Sequence, residues 1–220
     1  NIFMTEEHKN LPEVLPLFPL TGVLLLPRAS LPLNIFEQRY LDMVSAALDS
    51  KNMIGIVQPQ VPERDPISSD AQLYDIGCVG EIVSFNETTD GRNLITLAGV
   101  TRFKIIEEID NDQPYRSARV SYARFQDDLL PGEASTEKER RLQAIRAYFD
   151  LKNIQTDWSV IEKATDEVVV SSLAMGCPFA GVEKQALLES PNLKERSELL
   201  TSLMEMAVQE SGVSATPMTQ

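Results

Sequence analysis

"VLPLFPLTGVLLLP", Val14–Pro27, runs without a charged side chain, and what this stretch becomes decides the fold. A secretory leader needs a basic start, an unbroken apolar core and a small-residue cleavage motif. The residues before Leu11 read "NIFMTEEHKN", and Pro16, Pro19 and Pro27 break the run. A membrane span needs about 20 apolar residues, which the stretch does not supply. It therefore predicts the first strands of a soluble core, in a chain expected to be cytoplasmic. Proline cannot donate to a sheet ladder, so these strands are expected at sheet edges or starting at their prolines.

Outward from it, "VLPLFPL", "VLLL" and "LPLNIF" read as short strands separated by Pro and Gly. From Glu37 to about Leu48 the spacing of Tyr40, Leu41, Val44, Ala47 and Leu48 predicts one inserted helix. "MIGIVQP" returns to strand, and Pro62 to Asp70 reads as a loop. The strongest β signal runs from Tyr74 to Ile109. Ile76, Cys78, Gly80, Ile82 and Ser84 are placed on one face, with Asp90–Gly91 as the turn. Gly99 marks a bulge or a close backbone approach. An alternating strand over Tyr115–Phe125 closes this half.

A Pro-Gly linker follows, and the apolar period then changes to helical. Thr136 with Glu139 forms a capping box, opening a helix to about Leu151. Further helices are expected at Trp158–Ile161, Asp166–Met175 and Glu183–Glu189, although the valines at 168–170 favour strand. A last helix starts at Asn192 with Glu195 and carries the stripe Leu199, Leu200, Leu203, Met206 and Ala207. The predicted organisation is a disordered segment 1–12, a β domain 13–125, a linker 126–135, a helical bundle 136–210 and a disordered tail 211–220.

Composition excludes several classes of chemistry. A net charge of −13, from 33 acidic and 20 basic side chains, opposes the phosphate neutralisation behind most nucleic-acid affinity. The densest basic cluster, "EKERR", alternates with acid and reads as a solvated helix face. Two distant cysteines and a single histidine, His8, give no zinc spacing; Cys78 and Cys177 read as buried thiols. No phosphate-binding loop, dinucleotide fingerprint or nucleophile elbow is present, so no cofactor and no catalytic residue is assigned. The carboxylates at Glu107–Asp112 and Asp127–Asp128 sit at predicted strand ends and loops, where solvation outweighs acid–base work.

The polar cluster that stands out is "IFEQRY", where strand turns into helix. Phe36, Glu37, Arg39 and Tyr40 are its candidate residues: Glu37 complements the helix dipole, and Arg39 is either a clamp at the junction or a binder of acidic groups. The clamp is the favoured reading, because arginine offers five donors in a fixed fork.

The same residues carry a resemblance. "LPLFPLTGVLLLPRASLPLNIFEQRYLDMVSAAL" is similar to the opening of the Lon protease N-terminal (substrate-binding) domain family. "MIGIVQP", "DIGCVGEI", "DGRNLITLAGVTRFKI" and "YRSARVSY" follow in the family's order, and "MGCPFAGVEKQALLE" with "ERSELLTSLMEM" resembles the helical part of standalone bacterial members. The resemblance implies an α+β chain, a PUA-like β-barrel followed by a small α-helical bundle. It implies a non-catalytic module that recognises unfolded or exposed apolar segments of proteins, since the ATPase and Ser–Lys protease motifs of Lon are absent from these 220 residues. The alternative it implies is a PUA-like module binding a small molecule or RNA. Expected partners are proteins or peptides, with neither nucleic acid nor membrane.

Overall fold

Six strands, β1 (Val14–Pro19), β2 (Ser30–Ile35), β3 (Met53–Val57), β4 (Ile76–Glu87), β5 (Asn93–Ile109) and β6 (Ser117–Ser121), make one sheet in a computed structural model. The structure describes residues 10–132 and 137–213. Helix α1 (Gln38–Leu48) is inserted after β2; α2 (Lys138–Lys152), α3 (Trp158–Lys163), α4 (Asp166–Gly176), α5 (Gly181–Glu189) and α6 (Leu193–Val213) follow the sheet. The chain is mixed α+β, as its patterning predicts. It divides into two units: the first runs to Leu130 and takes back Phe179–Leu188, while the second holds Pro131–Pro178 and the residues from Glu189 onward.

The sheet closes on itself because β5 is long enough to serve two neighbourhoods. Its first half pairs with β2 and with the end of β4; its second half pairs with the start of β4 and with β6. With β6–β1, β1–β3 and β3–β4 the ring of five strands is complete, and β2 is left outside it. Register shifts at Cys78/Gly80, Ile82/Ser84 and Ile105/Glu107 interrupt the ladders, so the ring is not a smooth barrel. Inside it Leu15, Leu17, Val57, Val79, Phe103, Ala118 and Val120 form the core. Phe103 packs where Gly77 has no side chain: a Cβ there would lie 2.5 Å from its ring and 2.4 Å from the Ile56 carbonyl.

Three sequence expectations change here. First, β1 is an interior strand, with β3 on one side and β6 on the other, so Pro16 and Pro19 are not at a sheet edge. It tolerates them by dividing its length: Val14–Pro16 pair with β6 and Leu17–Pro19 with β3. Leu17 N donates to Arg116 O, and Leu20 N to Val57 O, 2.8 and 2.9 Å. By alternation, the Pro16 nitrogen faces β3 before that ladder begins, and the Pro19 nitrogen faces β6 after that contact ends. Second, "VLLL" is not a strand; Leu24, Leu25 and Leu26 are buried in irregular chain that fills the core. Third, the extra residue Val83 in β4 shifts the alternation, moving Ser84 off the face of Ile82 and putting Phe85 opposite Ile95.

The end of the β half also differs. β6 stops at Ser121, and Ala123–Leu129 turns as a 3-10 helix inside the segment read as alternating strand and linker. Tyr122 is anchored before that turn by donating its hydroxyl to Pro12 O at 2.6 Å; burial pushes its pKa up. Gly181–Leu188, read from sequence as part of the bundle, belongs with the first unit. Buried amides hold it there: Gln58 Nε2 donates to Gly181 O and Gln185 Oε1, at 3.1 and 3.2 Å, and Gln185 Nε2 donates to Ile76 O at 3.1 Å.

In the second unit α2 packs on α6. The face α6 buries is Leu193, Arg196, Ser197, Leu200, Thr201 and Met204, a helical spacing rotated from the apolar stripe, and Met206 is exposed. Its polar members are satisfied: Arg141 of α2 donates to Ser197 Oγ at 3.1 Å and pairs with Asp166, and Thr201 donates to Ser197 O. The valines at 168–170 are helical, with Thr165 capping Val168 N at 3.3 Å. Thr136, proposed as a cap, lies outside the described residues, whereas Asn192 caps Glu195 N at 2.9 Å as expected.

Candidate recognition surface

At the β2–α1 junction the sequence singles out four residues, and the structure joins three of them. Glu37 takes the N-cap position of α1. Arg39 Nη2 donates to Glu37 Oε1 at 3.1 Å and to Ile67 O at 2.7 Å, and its guanidinium lies 4.6 Å from the Tyr40 ring centre. Tyr40 is buried and stacks on Phe18 at 4.4 Å; burial raises its pKa. Ile67, whose carbonyl Arg39 holds, is buried in a loop closed by the Pro59–Leu73 bridge. Arg39 thus ties α1 to this loop through Nη2. Phe36 takes no part and stands 59 % exposed.

Phe36 follows directly on β2, which is one strand of a three-stranded arm. Beyond the ring, β2, the first half of β5 and the end of β4 continue as a paired ribbon, with Pro32–Thr96–Ser84, Leu33–Ile95–Phe85 and Asn34–Leu94–Asn86 as successive rows. From Val83 to Glu87 every β4 residue is exposed, so both faces of this end meet water. Phe36, Val83, Phe85 and Leu94 are 59, 58, 44 and 42 % exposed. Large apolar side chains left this exposed add little to stability, and concentrations of them mark contact surfaces. The turn is held by Asp90, which takes Arg92 Nε at 2.8 Å and a Thr88 hydroxyl; the hydroxyl, first, and the guanidinium keep its carboxyl below the usual range.

The sequence did not identify Val83, Phe85 or Leu94 as site residues. Their signal was apolar residues continuing through "VSFNETT", past the point where the core needs them. The bulge that exposes Val83 has no local sequence mark.

At the opposite end of β5 a concavity of about 450 Å³ is lined by Asp70, Glu108, Asp110, Tyr115 and Arg116 among others. Arg116 is already engaged, donating to both Glu108 oxygens at 2.6 Å and to Ala71 O at 2.7 Å. The remaining charge is acidic, which repels anions. Among the described residues no group of three or more His, Cys, Asp or Glu side chains is placed to hold a metal ion. No described helix is long and apolar enough to cross a membrane.

Comparison with known proteins matches residues 14–206 to the ATP-dependent protease La (LON) substrate-binding domain. The chain belongs to the Lon substrate-binding domain family. Relatives include the Lon protease of Parabacteroides distasonis, 29 % identical over 91 % of this chain, and Lon protease 2 of Myxococcus xanthus, 27 % identical over 89 %. The chain spans about a quarter of the length of these relatives, 24 % of each. Among solved structures, a Lon N-terminal domain protein from Xanthomonas campestris aligns with a TM-score of 0.58 and 26 % identity, covering 86 % of this chain and 97 % of that one. The N-terminal domain of Mycobacterium avium complex Lon protease aligns with a TM-score of 0.57 at 15 % identity over 87 % and 98 %, a likeness of fold. The matched family is described as a substrate-binding domain.

Proposed function

We propose that this Lon domain binds extended apolar segments of unfolded polypeptides on the β2–β5–β4 arm and performs no chemistry on them. The observation that carries the reading is the exposure of Phe36, Val83, Phe85 and Leu94 at this end of the sheet, where Phe85 shares the face of Leu33 and Ile95 and Leu94 lies on the other face. Full burial of one such side chain contributes roughly 1.5–3 kcal/mol, so the one or two that a segment covers on a given face give a weak, reversible hold. A folded protein presents few contiguous apolar segments, whereas an unfolded one presents many. We place this activity in the cytoplasm, because both cysteines are buried thiols, which suits a reducing compartment.

The test is binding to fluorescent, chemically unfolded casein against a compact folded control. Wild type binds the first and not the second. Phe36→Asp with Phe85→Asp weakens binding by about tenfold or more, and because Phe85 is only 44 % exposed the urea unfolding midpoint is measured alongside to establish that the variant is folded. Casein incubated with the purified chain stays intact. RNA binding that survives physiological salt, or cleavage of casein, overturns the reading.

A further inference from the structure

We propose that β2 accepts an additional strand: an extended partner segment, apolar at alternate positions and basic between them, pairs with its outer edge. This rests on the recognition role above and specifies how the segment is held.

The backbone of β2 determines which groups are available. Gly99 N donates to Ala29 O and Arg28 N to Gly99 O, both at 2.8 Å, and Ser30 lies opposite Ala98. In an antiparallel ladder the bonding direction alternates along the strand, so Leu31, Leu33 and Ile35 aim their backbone groups at β5. Ser30, Pro32 and Asn34 aim theirs away from the sheet. Among the described residues no strand pairs on that side, and all three are exposed. The edge therefore presents three carbonyls and the N–H groups of Ser30 and Asn34, a set that an extended backbone satisfies.

Pro32 selects the occupant. A foreign antiparallel strand opposite Ser30, Pro32 and Asn34 forms every bond except the one Pro32 cannot donate. A second copy of β2 centred on this position sets proline against proline, and a copy slipped by two residues loses a bond at each proline. The proline thus blocks self-pairing at small cost to a different partner.

The side chains complete the description. The rows Leu31–Leu97–Ile82 and Leu33–Ile95–Phe85 end at β2 with Leu31 and Leu33 half-buried. An added strand extends these rows with its own apolar residues and leaves alternate ones in water. Charge sets the preference at those wet positions. Between Asn10 and Leu130 there are 17 acidic and 10 basic side chains. Arg28, Arg39, Arg92, Arg102, Arg116 and Arg119 each already hold a carboxylate or a carbonyl. A segment with Lys or Arg between its apolar residues is therefore attracted, and an acidic one repelled.

The experiment titrates the full chain into a labelled ten-residue peptide alternating Val or Ile with Lys and Thr, read by fluorescence anisotropy. Asn34→Pro removes one outward N–H and leaves the β5 ladder whole; binding weakens about tenfold with an unchanged unfolding midpoint. Pro32→Ala supplies the missing donor, tightening binding about fivefold. A peptide with Glu in place of Lys binds at least fivefold more weakly. Wild-type affinity in both Asn34→Pro and Pro32→Ala overturns strand addition, as does a wild-type chain that binds unfolded casein but not the peptide. In either case Phe36→Asp still weakens casein binding, so the apolar-surface reading survives. A wild-type chain that binds neither ligand overturns both. Should Asn34→Pro fold poorly, Pro32→Ala carries the test alone, because its predicted effect is a gain.

Discussion

Arg102 and Asp128 show how one buried pair organises the first unit. Asp128 accepts Arg102 Nε at 2.9 Å and Nη2 at 2.8 Å, and it also takes the Arg102 backbone N–H at 2.9 Å. Arg102 Nη1 reaches Leu188 O at 2.9 Å, its guanidinium lies 4.5 Å from the Phe125 ring centre, and Arg28 donates to Asp128 O. Side-chain exposure of the pair is 3 and 8 %. Deleting one partner of such a pair leaves a buried charge uncompensated, which costs about 3–5 kcal/mol. Asp128→Asn therefore lowers the urea unfolding free energy by about 3 kcal/mol, whereas Arg102→Met with Asp128→Leu recovers part of the loss, because the Arg102 backbone N–H and Leu188 O lose these partners. A double variant no more stable than Asp128→Asn counts against this account. Neither residue was legible beforehand. Arg102 sits in an alternating strand, where an arginine reads as outward, and Asp128 sits beside Asp127 in what reads as a solvated linker. Their meeting depends on the 3-10 turn after β6, which no cap or proline announces.

The elements divide by whether their signal is local. Helix α1 is declared by the spacing of Tyr40, Val44 and Ala47, all of which it buries. β4 and β5 are declared by alternation and Asp90–Gly91. The interior position of β1 was not legible, because a proline rule assumes that both flanks of a strand are paired along its whole length. In a sheared ring each flank is paired along half. The buried face of α6 was missed for a related reason: Arg196, Ser197 and Thr201 count as polar in any stripe, and only the tertiary partners of Arg141 and Ser197 make them interior. Gly99 was readable as a bulge or a close approach, and it is both. It faces the Arg28–Ala29 bulge, where Arg28 has φ of 61°, and a Cβ on it would lie 1.9 Å from Leu26 O. Backbone cannot step aside as a side chain can. Gly99→Ala displaces the chain leading into β2 and costs about 3 kcal/mol, at the upper end for overpacking, read as a lower thermal midpoint. It also weakens peptide binding at the β2 edge. A variant as stable as wild type shows that the Leu26–Ala29 turn is looser than this close approach requires.

At the scale of the whole molecule the net charge of −13 acts on stability and on recognition in opposite directions. Like charges over the surface repel one another in the folded state, and salt screens that repulsion over a Debye length of about 10 Å at 0.1 M. Exposed ion pairs such as Arg92–Asp90 and Arg146–Glu162 are screened as well, but each contributes at most about 1 kcal/mol. The buried Arg102–Asp128 and Arg141–Asp166 pairs, shielded from the ions, keep their strength. Raising salt from about 0.01 to 0.2 M therefore increases unfolding free energy, by roughly 1 kcal/mol, because repulsion is the larger screened quantity. Across the same range a Lys-bearing peptide loses affinity, while an uncharged peptide of the same apolar pattern holds its own. Chemical unfolding and anisotropy run in parallel buffers separate the two effects. A stability that falls with salt shows that surface ion pairs outweigh the excess of carboxylates, and an affinity indifferent to salt for the Lys-bearing peptide assigns recognition to apolar contact and backbone pairing alone.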